Sequence, residues 1–283
     1  MDACLVVGVL NCTPDSFADG GRWATVEAAV AAGLAMVEAG ADWIDVGGES
    51  TRPGARVVPA DEERARVVPV IERLAREVGT RARISIDTYK AETARAAIGA
   101  GATVVNDISG GLLDGEILAV AVAAKAGVVL GHLRGAPATM MNQVVFSDVV
   151  TEVGNELGTR VAAARDAGCS EVWADPGIGF GKRSEHSLAL LGALPALIDA
   201  LGVPLMVGVS RKSFIGHLTG KPVGERSFGT AAAVAAAVMG GAQAVRVHDV
   251  AEMRDVVRVA SAIASASRAR KIRVEFPFTK TGA

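Results

Sequence analysis

The sequence predicts a single (β/α)8 barrel, and three observations predict it. Short apolar runs recur along the whole chain, and each stops on a polar side chain. Between them lie amphipathic segments that close on Gly, the pattern of a strand, a functional tip and a helical return. No charge run or shift in composition marks a second domain, and 283 residues lie within the range of one barrel. Right-handed crossovers of one strand and one helix wind a parallel sheet in one direction until it closes. The rival arrangement is a doubly wound open sheet, built from the same unit and also placing the loops after its strands on one side.

The first strand is expected over 4–10, ending at Asn11 in a polar loop, CTPDSFADGGR, before a helix over 25–39. DWIDV (42–46) is the second, followed by GGESTRPGA and a charged helix from Asp61, with Pro53 and Pro59 punctuating the approach. RISID (83–87) is the third, ending on Asp87 and leading into YKAETARAAIGAG. TVVN (103–106) is the fourth, with Asn106 and Asp107 at its tip and a helix over 114–125 after a Gly-Gly loop. GVVL (127–130) is the fifth, tipped by His132 and Arg134, with a long helix over 147–167. The sixth (171–174) ends at Asp175 in DPGIGFGK, and the seventh (204–209, PLMVGV) ends in SRKS. AVRV (244–247) is the eighth, carrying Arg246 and reaching His248, and a last helix runs from Val250 to about Arg268. Eight helices are expected in all. The barrel is assigned to 1–270, and the tail 271–283, KIRVEFPFTKTGA, has no role in it.

Composition narrows the class. Half of the residues are apolar but only 4% are aromatic, so the core must come from Ala, Val, Leu and Ile. That suits helices packed closely on a parallel sheet buried on both faces. A formal charge of -2 lacks the basic excess of a nucleic-acid surface. Cys4, Cys12 and Cys169 have neither metal-ligand spacing nor an even framework, so free thiols in a reducing compartment are expected. The start MDACLVVGVL has no basic n-region and breaks at Asn11, unlike a signal peptide. The uncharged stretch 228–245 is mostly Ala with a Gly-Gly break, too weakly apolar to favour a membrane. A cytoplasmic location is expected.

The chemistry is expected at the strand tips. Asn11, Asp87, Asn106, Asp175, Lys212, Arg246 and His248 fall at or just beyond the carboxyl ends of six strands, where barrel enzymes place their reacting groups. Any one Asp or Asn there can be a helix cap or turn former. Ordinary caps would not also bring Lys212, Arg246 and His248 to the same rim. Asp87, Asn106 and Asp175 suit the donor-rich edge of a planar heterocycle. Lys212, Arg246 and His248, with Asn11, suit a polyanion such as a diphosphate, and Asn11 is a candidate ligand for an accompanying Mg2+. GIGFGK lacks the end of a P-loop and reads as a loop of turn formers. SRKS leads into an apolar helix whose first amides, with Ser213, suit an anion, or which Ser213 simply caps. His132 at the fifth tip reads as a packing residue. No nucleophile elbow accompanies Cys12 or Cys169, so covalent catalysis is not expected.

Taken in order, GVLNCTPDSFADGG (8–21), DVGGESTRPGA (45–55), ISIDTYKAE (84–92), VVNDISGG (104–111), HLRGAPATM (132–140), ADPGIGFGK (174–182), GVSRKSFIG (208–216) and VRVHDV (245–250) resemble the dihydropteroate synthases. The resemblance spans nearly the whole chain. It implies a barrel, usually dimeric, that condenses dihydropterin-CH2-diphosphate with 4-aminobenzoate in folate synthesis. It implies pterin contacts from Asp87, Asn106, Ile108, Asp175, Phe180, Gly208 and Lys212, and diphosphate contacts with Mg2+ from Asn11, Arg246 and His248. It implies an aminobenzoate site from Phe17, Asp19, Thr51, Arg52, Pro53, Phe180, Lys212 and Ser213, on two loops over 11–22 and 49–57. The catalytic set it implies is Asp87, Lys212, Arg246 and His248, with Asp87 stabilising a pterin-methylene cation.

One departure touches the pocket. Gly131 stands where the family usually carries a Met that walls the pterin, so either an enlarged pocket or a neighbour filling the gap is expected. Whether sulfonamides, which mimic aminobenzoate, are excluded is left open by motifs that sensitive and resistant members share. Two alternatives stand beside this reading. A methyltetrahydrofolate-corrinoid methyltransferase-type pterin domain would account for Asp87, Asn106 and Asp175 but not for SRKS with Arg246 and His248. A non-catalytic pterin-binding paralogue would have no use for the loop motifs at 11–21 and 50–54.

Overall fold

The computed structural model describes residues 4–13, 26–52 and 54–269. Its strands are β1 (Leu5–Asn11), β2 (Trp43–Gly47), β3 (Arg83–Asp87), β4 (Val104–Asp107), β5 (Gly127–Gly131), β6 (Val172–Asp175), β7 (Met206–Val207) and β8 (Ala244–Val247). All pair in parallel, in the order β6-β5-β4-β3-β2-β1-β8-β7. A bridge between Ala174 and Leu205 joins the two ends, where the Ala174 amide donates to the Pro204 carbonyl at 3.0 Å. The sheet is a barrel closed by that seam, not an open doubly wound sheet.

The helices are α1 (Val26–Glu38), α2 (Ala60–Val78), α3 (Ala91–Gly99), α4 (Ile117–Ala124), α5 (Val149–Asp166), α6 (Ser184–Gly192), α7 (Leu194–Leu201), α8 (Ser213–Thr219), α9 (Ser227–Met239) and α10 (Val250–Ala269). The described residues thus hold ten α-helices rather than the eight expected. The crossovers after β6 and β7 each carry two. Pro195, in the first turn of α7, has no N–H for a helix continuing from α6 and favours a new start. Gly220, in the left-handed region, ends α8 before α9 begins. Among the described residues no helix is long and apolar enough to cross a membrane. The tail 271–283 lies outside the described residues.

Alternation along the strands builds the barrel interior in layers. Val7, Trp43, Val104, Val129, Trp173, Met206 and Ala244 form one buried apolar cluster, with the rings of Trp43 and Trp173 in edge contact at 5.2 Å. Two residues further along the same strands stand Asp45 after Trp43, Asn106 after Val104, Gly131 after Val129, Asp175 after Trp173, Gly208 after Met206 and Arg246 after Ala244. The interior therefore changes from apolar to polar within one step of the pleat. On the helix side, Val, Leu, Ile and Ala form the larger core, as the low aromatic content requires.

Most strands extend one residue past their apolar runs. Asn11 pairs with Gly47, Gly47 with Asp87, Asp87 with Asn106, and Gly131 with Asp175. The polar tips are part of the ladder, so the sheet itself fixes their spacing. β7 departs the other way, with two residues where the apolar run predicted six.

Candidate active site

The top layer of the barrel opens into a cleft lined by Asp87, Asn106, Ile108, Gly131, Asp175, Gly177, Phe180, Gly208, Lys212 and Arg246. Every residue that the resemblance assigns to the pterin is in that set. Asp87 and Asn106 are buried, and Arg246 and Lys212 are half-buried.

Arg246 holds the cleft together. Its Nε donates to Asp45 at 2.6 Å and its Nη2 to Asp87 at 2.7 Å, which leaves Nη1 as the donor for an incoming anion. Asp45 also accepts from Ser85 Oγ at 2.6 Å and from Asn106 Nδ2 at 2.9 Å. The bond to Asp45 fixes the orientation of the Asn106 amide, and its carbonyl oxygen is an acceptor that no bond to Asp45 uses. Asp45 is fully buried and was not singled out from the sequence. The signal was present, since Asp45 shares a face with Trp43 and Gly47 in DWIDV and is a charge inside an otherwise apolar strand. Asp175 accepts from the Gly177 amide at 2.7 Å. Asp87, Asp175 and Asn106 thus offer acceptors, while Arg246 and Lys212 offer positive charge.

The charges are held away from their ordinary ranges. Burial pushes the Asp87 carboxyl up to about 7 against the pull of Arg246, with Asp45, Glu63 and Asp107 pushing the same way as burial. Burial also raises Asp175 and lowers Lys212 to about 8, although Asp175 and Asp87 favour the charged lysine. Arg246 is held above its usual value by Asp45 and Asp87 despite burial. His248 is pushed down to about 3 by burial and by Arg246 and Arg211, so at neutral pH it is an uncharged imidazole. Its Nδ1 lies 3.0 Å from Ser210 Oγ. It can serve an anion as an N–H donor, not as the cation expected from sequence.

The remaining predicted residues fall around the rim. Asn11 ends β1; a Cβ built on Gly47 would lie 3.6 Å from its amide oxygen and 3.5 Å from Asp87 Oδ2. Thr51 is half-buried and Arg52 exposed, and Ser213 begins α8 as an exposed residue after Lys212 in the N-cap position. Phe17, Asp19 and Pro53 lie outside the described residues. Arg211 is bound to Asp249 at 2.6 Å, so SRKS does not present two free bases. In DPGIGFGK, Gly177 and Phe180 wall the cleft, and Lys182 is buried. At Gly177 (φ 67°) any side chain would meet the His132 carbonyl at 2.1 Å, so only glycine lets the loop lie against β5.

Gly131 resolves one expectation. A Cβ there would stand 2.6 Å from the Ile108 Cα and carbonyl oxygen, so the backbone after β4 has closed over the position. The gap is filled by a neighbour, and the pocket is not enlarged. A second cluster was also missed. Lys90 bridges Glu49 and Glu63, Tyr89 donates to Glu49 at 2.8 Å, and Thr93 donates to Glu63 at 2.9 Å, so Glu49 of the GGEST segment that carries Thr51 is anchored to the residues after β3.

Among the described residues no group of three or more His, Cys, Asp or Glu is arranged to hold a metal ion. The Asn11 side chain, at the carboxyl end of β1, offers an amide oxygen of the hard kind that Mg2+ accepts. Cys4 and Cys12 are free thiols pushed up to about 12, chiefly by burial, and are poor nucleophiles.

Comparison with known proteins decides the family. A family model described as pterin binding enzyme matches residues 7–248. A dihydropteroate synthase from Synechocystis is 47% identical over 91% of this chain and 89% of its own. The chain belongs to the dihydropteroate synthase family. The Xanthomonas albilineans dihydropteroate synthase with 4-aminobenzoic acid superposes with a TM-score of 0.85 at 45% identity, over 93% of both chains. The Yersinia pestis enzyme in complex with a sulfonamide drug superposes with a TM-score of 0.88 at 38% identity, over 94% of this chain and 96% of that one. The family shares the barrel, so the cleft at its carboxyl end is where its chemistry is to be sought.

Proposed function

We propose that this chain is a dihydropteroate synthase, joining 4-aminobenzoate to 6-hydroxymethyl-7,8-dihydropterin diphosphate with release of diphosphate. The observation that carries the reading is the acceptor set Asp87, Asn106 and Asp175 standing beside Arg246 and Lys212 in one cleft. The acceptors match the N–H groups of the pterin ring, and Lys212 matches its carbonyl. The C–O bond between the methylene and diphosphate breaks first, and its electron pair leaves with the diphosphate. Arg246 Nη1 and the neutral His248 donate to the departing anion. The cation left on the pterin methylene is conjugated with the ring, and the Asp87 carboxylate, held in place by Arg246, stabilises it electrostatically. The aminobenzoate nitrogen then attacks the methylene carbon, and the resulting arylammonium passes its proton to water. No protein nucleophile takes part, in keeping with Cys12 being held as a thiol.

Mg2+ carried on the diphosphate would neutralise leaving-group charge when bound, and Asn11 is the residue assigned to it. Thr51, Arg52 and Ser213, with Phe17, Asp19 and Pro53, are assigned to aminobenzoate, together with Phe180 and Lys212. A homodimer and a cytoplasmic location are further parts of the reading. The dimer is supported by exposed apolar side chains on α9 and α10, namely Phe228, Met239, Val259 and Ile263. The deciding experiment incubates the purified protein with the pterin diphosphate, 4-aminobenzoate and Mg2+ and measures dihydropteroate. Absence of product with pterin binding retained would make the chain a non-catalytic paralogue. A sulfonamide arm reads competition with aminobenzoate directly.

A further inference from the structure

Among the described residues, two buried basic side chains, Arg160 and Lys182, have no task in the reaction. Lys182, only 3% exposed, closes the loop that follows β6. Its Nζ donates to the Phe180 carbonyl at 3.0 Å and to the His132 carbonyl at 3.3 Å, and lies 2.9 Å from His132 Nδ1. Burial lowers Lys182 to about 7, and in its protonated form these three acceptors use all three ammonium hydrogens. His132, 1% exposed, has its Nε2 3.0 Å from Glu156 Oε2. A carboxylate only accepts, so the imidazole proton sits on Nε2 and Nδ1 is the acceptor turned to Lys182. Glu156 is held in turn by Arg134. A chain of polar contacts therefore runs from α5 through His132 to the back of the cleft wall.

The front of the same loop meets a different lysine. Lys212 Nζ lies 3.9 Å from the centre of the Phe180 ring, and its Cδ would be 3.0 Å from a Cβ built on Gly179. Phe180 is thus held twice, by its carbonyl from behind and by its ring from the cleft. When a ligand engages Lys212, the hold from behind is the one that remains.

We propose that Lys182 is a positioning residue for the pterin cleft: by tying the Phe180 carbonyl to the end of β5 it sets Asp175, Gly177 and Phe180 in their binding positions before substrate arrives. This rests on the reading that the cleft receives the pterin ring. Three acceptors grouped around one nitrogen suit an ammonium and not a planar guanidinium, so Arg does not replace Lys here.

The test titrates pterin-6-carboxylate, a pterin with no leaving group, into the wild-type protein, Lys182→Met, Phe180→Ala and the double variant by calorimetry, with steady-state kinetics alongside. If Lys182 acts through Phe180, Lys182→Met weakens pterin binding about tenfold, and the double variant is within about threefold of Phe180→Ala alone. KM for the pterin substrate rises by the same factor, while kcat at saturation stays within about threefold. A folded Lys182→Met that binds pterin as tightly as wild type overturns the proposal, and so do losses that multiply in the double variant. If Lys182→Met does not fold, Lys182→Arg takes its place: about three- to tenfold weaker binding supports the role, and unchanged binding overturns it. Wild-type protein that binds no pterin would overturn the assignment of the cleft along with this role, whereas failure confined to the variants overturns this role alone.

Discussion

Asp87 and Lys212 carry the sharpest predictions at the scale of the residue. Asp87 is bonded to Arg246 and is assigned to the pterin ring in the proposed reaction, so Asp87→Asn keeps the shape but removes the charge proposed to face the developing cation. kcat is expected to fall about 100- to 1,000-fold while pterin affinity changes by less than about threefold. Equal losses in both, measured by single-turnover rate and calorimetry, would remove the cation-stabilising role. The pH profile of kcat/KM follows from the same two groups. Asp87 must be ionised and its carboxyl is raised to about 7, so activity falls as pH drops through that value. Lys212 must be charged and is lowered to about 8, so activity also falls as pH rises through it. The expected profile is a narrow bell, and Lys212→Arg should move the alkaline limb upward; a limb that stays in place would separate it from Lys212. These two residues were legible as strand tips. Asp45 was legible only as a charge inside a short apolar strand, because the three donors that converge on it, Ser85, Asn106 and Arg246, come from elsewhere in the chain.

Elements were read correctly in kind and less well at their ends. Apolar runs stop where the interior turns polar, but the ladder continues through Asn11, Asp87, Asn106 and Asp175, because a parallel strand pairs by backbone and not by hydropathy. β7 is short for the opposite reason: Leu205, Met206, Val207 and Val209 of the run PLMVGV are buried, but its backbone leaves the ladder after Val207. The turn after β4 explains Gly131. Asp107 accepts from the Ser109 and Gly111 amides at 2.8 and 2.6 Å and folds the chain back, bringing Ile108 over β5. Gly131→Met, which installs the side chain usual in the family, should therefore destabilise the fold by about 1–3 kcal/mol through overpacking. It should also weaken pterin binding. Thermal unfolding checks the first and pterin titration the second; a more stable variant would mean that the turn readily yields.

For the whole molecule, the barrel separates stability from chemistry along its axis. At the amino-terminal mouth Arg83 stacks over Trp43 at 4.8 Å and pairs with Glu171 at 2.7 Å, while Trp173 donates to Glu171 at 2.9 Å. Above this floor lies the apolar layer that includes Trp43 and Trp173, and above that the polar layer with its buried charges. The outer surface carries the prediction about assembly. Phe228, 92% exposed at the start of α9, is the most exposed large apolar side chain among the described residues. Sedimentation should give twice the chain mass, 28.8 kDa, and Phe228→Glu should shift it toward the monomer. A wild-type chain sedimenting as a monomer would reject the dimer.

Hydropathy and strand-helix alternation sufficed for a parallel sheet with its polar strand tips on one side, because both follow from local periodicity, whereas the seam at Ala174 and Leu205 distinguished the barrel from an open sheet. The order of motifs sufficed for the family. The convergence of Asp45, Asp87 and Asn106 around Arg246, the neutral state of His248, the closure of Ile108 over Gly131 and the burial of Lys182 behind Phe180 required the tertiary structure. Each depends on residues far apart in the chain, and on the loss of water that only closure of the barrel brings about.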